Sequence, residues 1–353
     1  MSSHSKPKNK LTDFQQLPIV DISSLRSCDF NERKKVARQL DKAVSEVGFL
    51  YITGHGIPFE KINQLKKKAK EYFAQPFEKK MLDYIGNSLN HSGYVPEGEE
   101  QFDSELVSID NKEAYDLNCD YLSITGRRPM LGPNQWSELS GFKEVVKSYY
   151  DDAIALSHVL FRGFALALGL SEDTFDSIVT NPPSQLRLIH YPYNSKLVDN
   201  RPGIGAHTDY ECFTILLPTA PGLEVLNGAG KWIDVPMIDG AFVINIGDML
   251  EILSNGHFVA TSHRVRKVAE ERYSFPLFCA CDYDTIISPL SQLNTTDRSN
   301  TYSDLACGDH LYAQTIQSFS YLKKKLEAGE IQLPEDSSKL SSFGYMKKME
   351  RDF

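Results

Sequence analysis

Two periodicities divide the chain. Between residues 31 and 47, Val36, Leu40, Val44 and Val47 recur at helical spacing, which predicts an amphipathic helix ended by Gly48. Leu17 to Ile22 and Phe49 to Ile52 predict short strands, the second closed by the turn Gly54-His55-Gly56-Ile57-Pro58. A second helix is expected over about 58–73. A third, over about 141–169, carries Phe142, Val145, Val146, Tyr149, Ala153, Leu156, Leu160 and Phe164 on one face. After residue 184 the pattern shortens to β-rich runs: Leu186–Tyr193, Cys212–Leu217, Gly222–Leu226, Trp232–Val235, Ala241–Ile246, Thr261–Lys267 and Arg272–Ala280. Asn227-Gly228 between two of them signals a hairpin. A helical segment near 310–328 and a polar tail follow. The expected fold is α+β with a mainly β core, a sandwich or barrel such as a jelly roll, flanked by N-terminal and C-terminal helices.

Composition adjusts this picture only slightly. The 353 residues include 38 Lys and Arg against 47 Asp and Glu, a net charge of −9. That balance argues against nucleic acid as a partner, because phosphate binding calls for a basic surface. Residues 1–16 are polar and Lys-rich and predict a flexible tail without the apolar region of a secretory signal. No run approaches the roughly 18 apolar residues of a membrane span. Six cysteines (Cys28, Cys119, Cys212, Cys279, Cys281 and Cys307) are sparse in so long a chain, which suits reduced thiols and a cytoplasmic location. Cys279-x-Cys281 reads as two small core residues rather than half of a zinc site.

The candidate chemistry starts at His207-Thr208-Asp209. On a strand, residues i and i+2 share a face, so imidazole and carboxylate would converge. Alone, such a pair is an ordinary polar pair. His263, 56 residues on and on a later predicted strand, supplies a third ligand, and two histidines with one carboxylate make the facial triad of non-haem Fe(II) oxygenases. Arg272-Tyr273-Ser274 then places a guanidinium and a hydroxyl on one strand face, good chemistry for a carboxylate. Tyr191, on an upstream strand, is placed to line the same cavity. His190 is the rival ligand, but as the neighbour of Tyr191 it should face the other way.

These residues sit in motifs that resemble the 2-oxoglutarate/Fe(II)-dependent dioxygenases of the isopenicillin N synthase-like family. The N-terminal half shows LPIVDIS, GFLYITGHGIP, FAQPFEKK, GYVPEGEE, KEAYDL and GPNQW; the C-terminal half shows RLIHYPYN, GIGAHTDYECFTILL, GLEVL, WIDVP, AFVINIGDMLEILSNGHFVATSHRV and ERYSFPLF. The resemblance spans roughly Leu17 to Tyr321. It implies a double-stranded β-helix core, with Fe(II) on His207, Asp209 and His263. It also implies 2-oxoglutarate on Arg272 and Ser274, with Tyr191 as a further contact. Expected chemistry is O₂-dependent hydroxylation, desaturation or ring closure of a small-molecule substrate, releasing succinate and CO₂, with ascorbate as a candidate reductant. The implied layout is one compact unit: a tail at 1–16, an N-terminal dioxygenase region at 17–135, a long linking helix at 136–184, the jelly-roll core at 185–290 and a C-terminal helical segment and tail at 291–353. His91-Ser92-Gly93-Tyr94 lacks the arginine that isopenicillin N synthase uses on its tripeptide, and His55 matches a family turn of structural character. A 2-oxoglutarate-independent oxidase of the same fold, a non-catalytic jelly-roll binding protein and a zinc hydrolase stay open as alternatives. The substrate and the oligomeric state are not readable at this level.

Overall fold

In the computed structural model, which describes residues 11–100, 112–120, 128–193, 202–266, 270–293, 302 and 304–334, the N-terminal periodicities become alternating strands and helices. β1 (Ile19–Asp21) runs parallel to β2 (Phe49–Thr53), and α1 (Phe30–Glu46) makes the crossover that parallel strands require. Asp29 starts α1 by accepting from the Asn31 amide at 2.8 Å. α2 (Phe59–Phe73), the single turn α3 (Phe77–Lys80), β3 (Gly93–Val95), β4 (Glu113–Leu117) and the long α4 (Phe142–Ala167) follow.

The β-rich half supplies β5 (Gln185–Tyr191), β6 (Pro202–His207), β7 (Phe213–Pro218), β8 (Leu223–Leu226), β9 (Trp232–Asp234) and β10 (Phe242–Ile246). The short α5 (Asp248–Leu253), β11 (His263–Arg266), β12 (Arg272–Cys279), β13 (Ile286–Ile287) and β14 (Leu305–Ala306) come next. α6 (Cys307–Ser318) and α7 (Ser320–Glu327) close the described chain.

Eight strands form the major sheet in the order β1-β2-β10-β7-β12-β5-β4-β3, and four form the minor sheet, β6-β11-β8-β9. This is the two-sheet arrangement of the expected jelly roll. Register decides which side chains share a face. Asn245 pairs with Thr214, Ser274 with Ile189, Arg272 with Tyr191, and Ile189 with Ala114. Counting by twos along each strand, these residues all point to one side. The other side packs Leu188, Ile215, Ile244 and Phe275 with Phe142, Leu156 and Phe164 of α4. Facing the minor sheet, Phe49, Tyr51 and Val243 pack on Leu223 and Val225; towards the far edge, Ala114 and Ile189 are covered by Ile316, Phe319 and Tyr321 of the C-terminal helices and their junction.

Several expectations need correction. The chain is packed from Leu11 onward: Phe14 is buried, and the Gly228 amide donates to Thr12 O at 2.9 Å; residues 1–10 lie outside the described residues. The helical segment expected near 310–328 is two helices, α6 and α7, parted at Phe319, whose ψ of 128° is extended, and Glu99 takes over the start of α7. Glu99 O accepts from Ser320 N at 2.9 Å and its Oε1 from Tyr321 N at 2.8 Å. The hairpin at Asn227 exists, but as a five-residue loop with the positive φ at Gly230, organised by Asn227 Oδ1 accepting from Ala229 N and Lys231 N. β3, β4 and β6 had no counterpart in the periodicity; β6 contains a proline and two glycines and so reads as loop. Among the described residues no helix is long and apolar enough to cross a membrane.

Candidate functional site

β6 and β11 are antiparallel neighbours with His207 directly opposite His263. Their rings lie 4.3 Å apart. Each ring is oriented by a backbone carbonyl two residues earlier: His207 Nδ1 lies 2.9 Å from Gly205 O, and His263 Nδ1 lies 3.3 Å from Thr261 O. That leaves both Nε2 atoms directed at Asp209 Oδ1, at 3.6 and 3.5 Å. Asp209 is not on the strand as expected. β6 ends at His207, and Asp209 reaches the same point from the turn that leads to β7. A ligand atom from each of the three residues lies within 4.8 Å of the others, and theirs is the one such group able to hold a metal ion among the described residues.

Two residues that the sequence did not single out fix the carboxylate. Thr214 Oγ1 donates to Asp209 Oδ2, and Asn245 Nδ2 donates to the same oxygen at 2.7 Å. Oδ1 is thereby aimed at the imidazoles. The turn is held from behind by the Asp248 amide, which donates to Asp209 O at 2.9 Å. Gly247 lies so close that a Cβ there would come within 2.2 Å of Glu211 O. Burial and the neighbouring His263 charge lower His207 to about 4. Burial works against ionisation of Asp209, but His263, His207, Thr214 and Asn245 outweigh it and lower its pKa. A neutral imidazole beside an ionised carboxylate is the protonation state a metal needs.

Arg272 and Ser274 share the face of the major sheet that carries Thr214 and Asn245, hence the face towards Asp209. Arg272 Nη2 donates to Ser274 Oγ at 2.9 Å, and its guanidinium carbon lies 4.3 Å from the centre of the Tyr191 ring. Only 4% of Arg272 is exposed, yet among the described residues Nε and Nη1 have no hydrogen-bond partner. Burial pulls its pKa down. A buried cation with two unsatisfied donors is costly unless an anion completes it, and a planar carboxylate matches the fork. The donor sets therefore fit both Fe(II) and a dicarboxylate such as 2-oxoglutarate.

The other singled-out residues have different partners. His190 faces away from Tyr191's side, between Glu113 (2.9 Å) and Glu271 (3.0 Å). His55 braces its turn, with Nδ1 accepting from Ile57 N and Nε2 3.2 Å from Gly240 O. Cys279 and Cys281 are fully buried, and Cys281 Sγ lies 3.5 Å from Cys212 Sγ as part of the core.

Comparison with known proteins agrees with this chemistry. Residues 17–139 match the family described as non-haem dioxygenase in morphine synthesis N-terminal, and residues 182–280 match the 2OG-Fe(II) oxygenase superfamily. A homoarginine-6-hydroxylase of Arabidopsis thaliana is 36% identical over 79% of this chain and 89% of its own length. A 2-oxoglutarate-Fe(II) type oxidoreductase of Emericella nidulans is 31% identical over 86% of this chain and 90% of its own. A Neurospora crassa protein, crystallised in complex with alpha-KG and thymine, superposes with a TM-score of 0.73 at 25% identity, covering 91% of this chain and all of that one. The chain belongs to the 2OG-Fe(II) oxygenase superfamily, with the N-terminal region of the non-haem dioxygenases, and is a 2-oxoglutarate- and Fe(II)-dependent oxidoreductase of small molecules.

Proposed function

We propose that His207, Asp209 and His263 hold the Fe(II), that Arg272 and Ser274 hold the distal carboxylate of 2-oxoglutarate against the Tyr191 ring, and that the reaction is a hydroxylation. The observation that carries this reading is the buried Arg272 fork with two unpartnered donors on the same sheet face as the residues that anchor Asp209. Hydroxylation is favoured by the likeness to the homoarginine-6-hydroxylase of Arabidopsis thaliana.

When bound, iron and 2-oxoglutarate supply the oxidising power for O₂-dependent attack on a C–H bond, with succinate and CO₂ released. The protein supplies position. Gly205 O and Thr261 O fix the two imidazole tautomers, while Thr214 and Asn245 keep one carboxylate oxygen occupied so that the other is presented. Arg272 sets the direction in which the co-substrate enters. The apolar cluster of Phe49, Val225 and Val243 between the sheets keeps water from one side of the centre. Six unpaired cysteines suit the reducing conditions of the cytoplasm.

The test is the visible spectrum of the anaerobic Fe(II) protein titrated with 2-oxoglutarate. A charge-transfer band that appears in the native protein and is lost in His207→Ala is expected. Iron bound without any band would overturn the co-substrate assignment; no iron bound would overturn the metal assignment.

A further inference from the structure

The inner face of the major sheet continues past Tyr191 into buried charge. Lys112 directly precedes β4, and the Glu113–His190 register places it opposite Tyr191, in the row that ends at Arg272. Arg187, four residues before Tyr191, is on the same face and pairs with Asp116. Its Nε donates to Asp116 Oδ1 at 2.8 Å and its Nη1 to Glu100 Oε1 at 3.0 Å. Lys112 Nζ lies 3.2 Å from Glu100 Oε2, and both side chains are 7% exposed.

Two cations and two carboxylates meet here, and Arg187 and Glu100 keep bonding capacity in reserve. Among the described residues Arg187, only 8% exposed, leaves Nη2 without a partner, and Glu100 Oε2 has the Lys112 ammonium at 3.2 Å and no further hydrogen bond. Glu100, Lys112 and Arg187 line a narrow cleft with Val95, Pro96 and Ala114. Burying four charges costs several kcal/mol per ion before pairing, and an apolar wall would serve the fold as well or better. That leftover capacity lies beside the cleft.

Register joins this cleft to the co-substrate residues: Lys112 is opposite Tyr191, and Tyr191 is opposite Arg272. Tyr210 follows Asp209 directly in the chain. On the far side of Tyr210, His310 of α6 has its ring 6.0 Å away and its Nε2 unpartnered.

We infer that Glu100, Lys112 and Arg187 form the substrate-selecting wall of the active site, and that the substrate is a small zwitterion whose carboxylate meets Arg187 and Lys112 while a cationic nitrogen meets Glu100. The inference rests on the triad being the reaction centre. An apolar substrate would bury the leftover donors and acceptors unsatisfied, and a singly charged one would complete only one sign of the wall.

The experiment uses the anaerobic protein carrying Fe(II) and 2-oxoglutarate. The charge-transfer band is recorded first; its absence would bear on the reading of the centre, not on the wall. Calorimetric titrations follow with L-arginine and L-lysine as zwitterions, agmatine as a cation without carboxylate, hexanoate as a carboxylate without cation, and neutral thymine. At least one zwitterion is expected to bind about tenfold or more tightly than the other three. Glu100→Gln should weaken the zwitterion and agmatine but not hexanoate, and Lys112→Met should weaken the zwitterion and hexanoate but not agmatine. Such a crossed pattern distinguishes recognition from a structural network, which would lose all ligands alike. Equal loss for every probe, tighter binding of thymine, or no binding by either zwitterion overturns the inference.

Discussion

Asn245 donates its side-chain amide to Asp209 Oδ2 at 2.7 Å from the middle of an otherwise apolar strand. The bond leaves the carboxylate one oxygen for the ion and fixes which one. Asn245→Ala is expected to lower Fe(II) affinity roughly 10–100-fold, the usual range for an outer partner of a metal ligand. Thr214→Val should act in the same direction. Competition for Fe(II) with a chromogenic chelator measures both, and unchanged affinity in the double variant would remove the anchoring role.

Arg272→Ala takes away the buried cation that two unpartnered nitrogens leave open to a carboxylate. A charged hydrogen bond contributes about 1.5–3 kcal/mol, so the 2-oxoglutarate requirement should rise roughly 10–100-fold with iron still bound. Ser274→Ala, which removes only the hydroxyl held by Arg272 Nη2, should have the smaller effect. Saturation curves for 2-oxoglutarate at fixed iron decide the order.

Gly247→Ala puts a carbon within 2.2 Å of Glu211 O and 3.0 Å of Asp209 O. The backbone there cannot yield without displacing the turn that carries Asp209. Stability should drop by about 1–3 kcal/mol, the range for an overpacked site, and iron retention should fall with it. Urea unfolding and metal analysis of the same preparation test the coupling; lost stability with full iron occupancy would separate the two.

Acid stability should depend on His91. Burial, with Arg187's charge adding to it, lowers this imidazole to about 3, and burial lowers His310 to about 4. Both are neutral in the folded protein and gain protons on unfolding below the ordinary histidine value near 6.5. Their contribution to stability is therefore whole above that value and is lost as pH falls towards 4 and then 3, by up to about 1.4 kcal/mol per pH unit for each. Asp116, raised to about 6 by burial against the pull of Arg187, works in the opposite sense between pH 6 and 4. Unfolding free energies of His91→Phe and the native protein between pH 7 and 4 should converge as pH falls, since the variant has no imidazole to protonate. Parallel curves would count against a buried neutral His91.

The residues proposed to hold the metal and the co-substrate stood out in the sequence because their spacing is tied to strand pairing: His207 with His263, and Arg272 with Tyr191, are cross-strand neighbours. Asp209 departs from the strand expected for it, since a turn does the same work. Asn245 carried a signal that went unused, a buried amide inside Phe242–Ile246, where every neighbour is apolar. Thr214 carried none, because threonine is at home in any strand. The charge of the wall was not legible for another reason: Glu100, Lys112 and Arg187 meet only through the β3-β4-β5 register, and short β3 left no periodic trace. The break at Phe319 depends on Glu99, more than 200 residues away in sequence, which no local pattern reports.

β2 is bonded on one side to β1 and on the other to β10, so Phe49, Leu50, Tyr51 and Ile52 reach their final neighbours only once Phe242 to Asn245 exist. At ribosomal speeds of about 5–20 residues per second, that wait is on the order of ten seconds or more. Throughout it, a fully apolar strand has no partner on one edge. The nascent chain thus carries an aggregation hazard near its beginning, and sparser ribosome loading, cooler growth or a holding chaperone should improve the yield of folded protein.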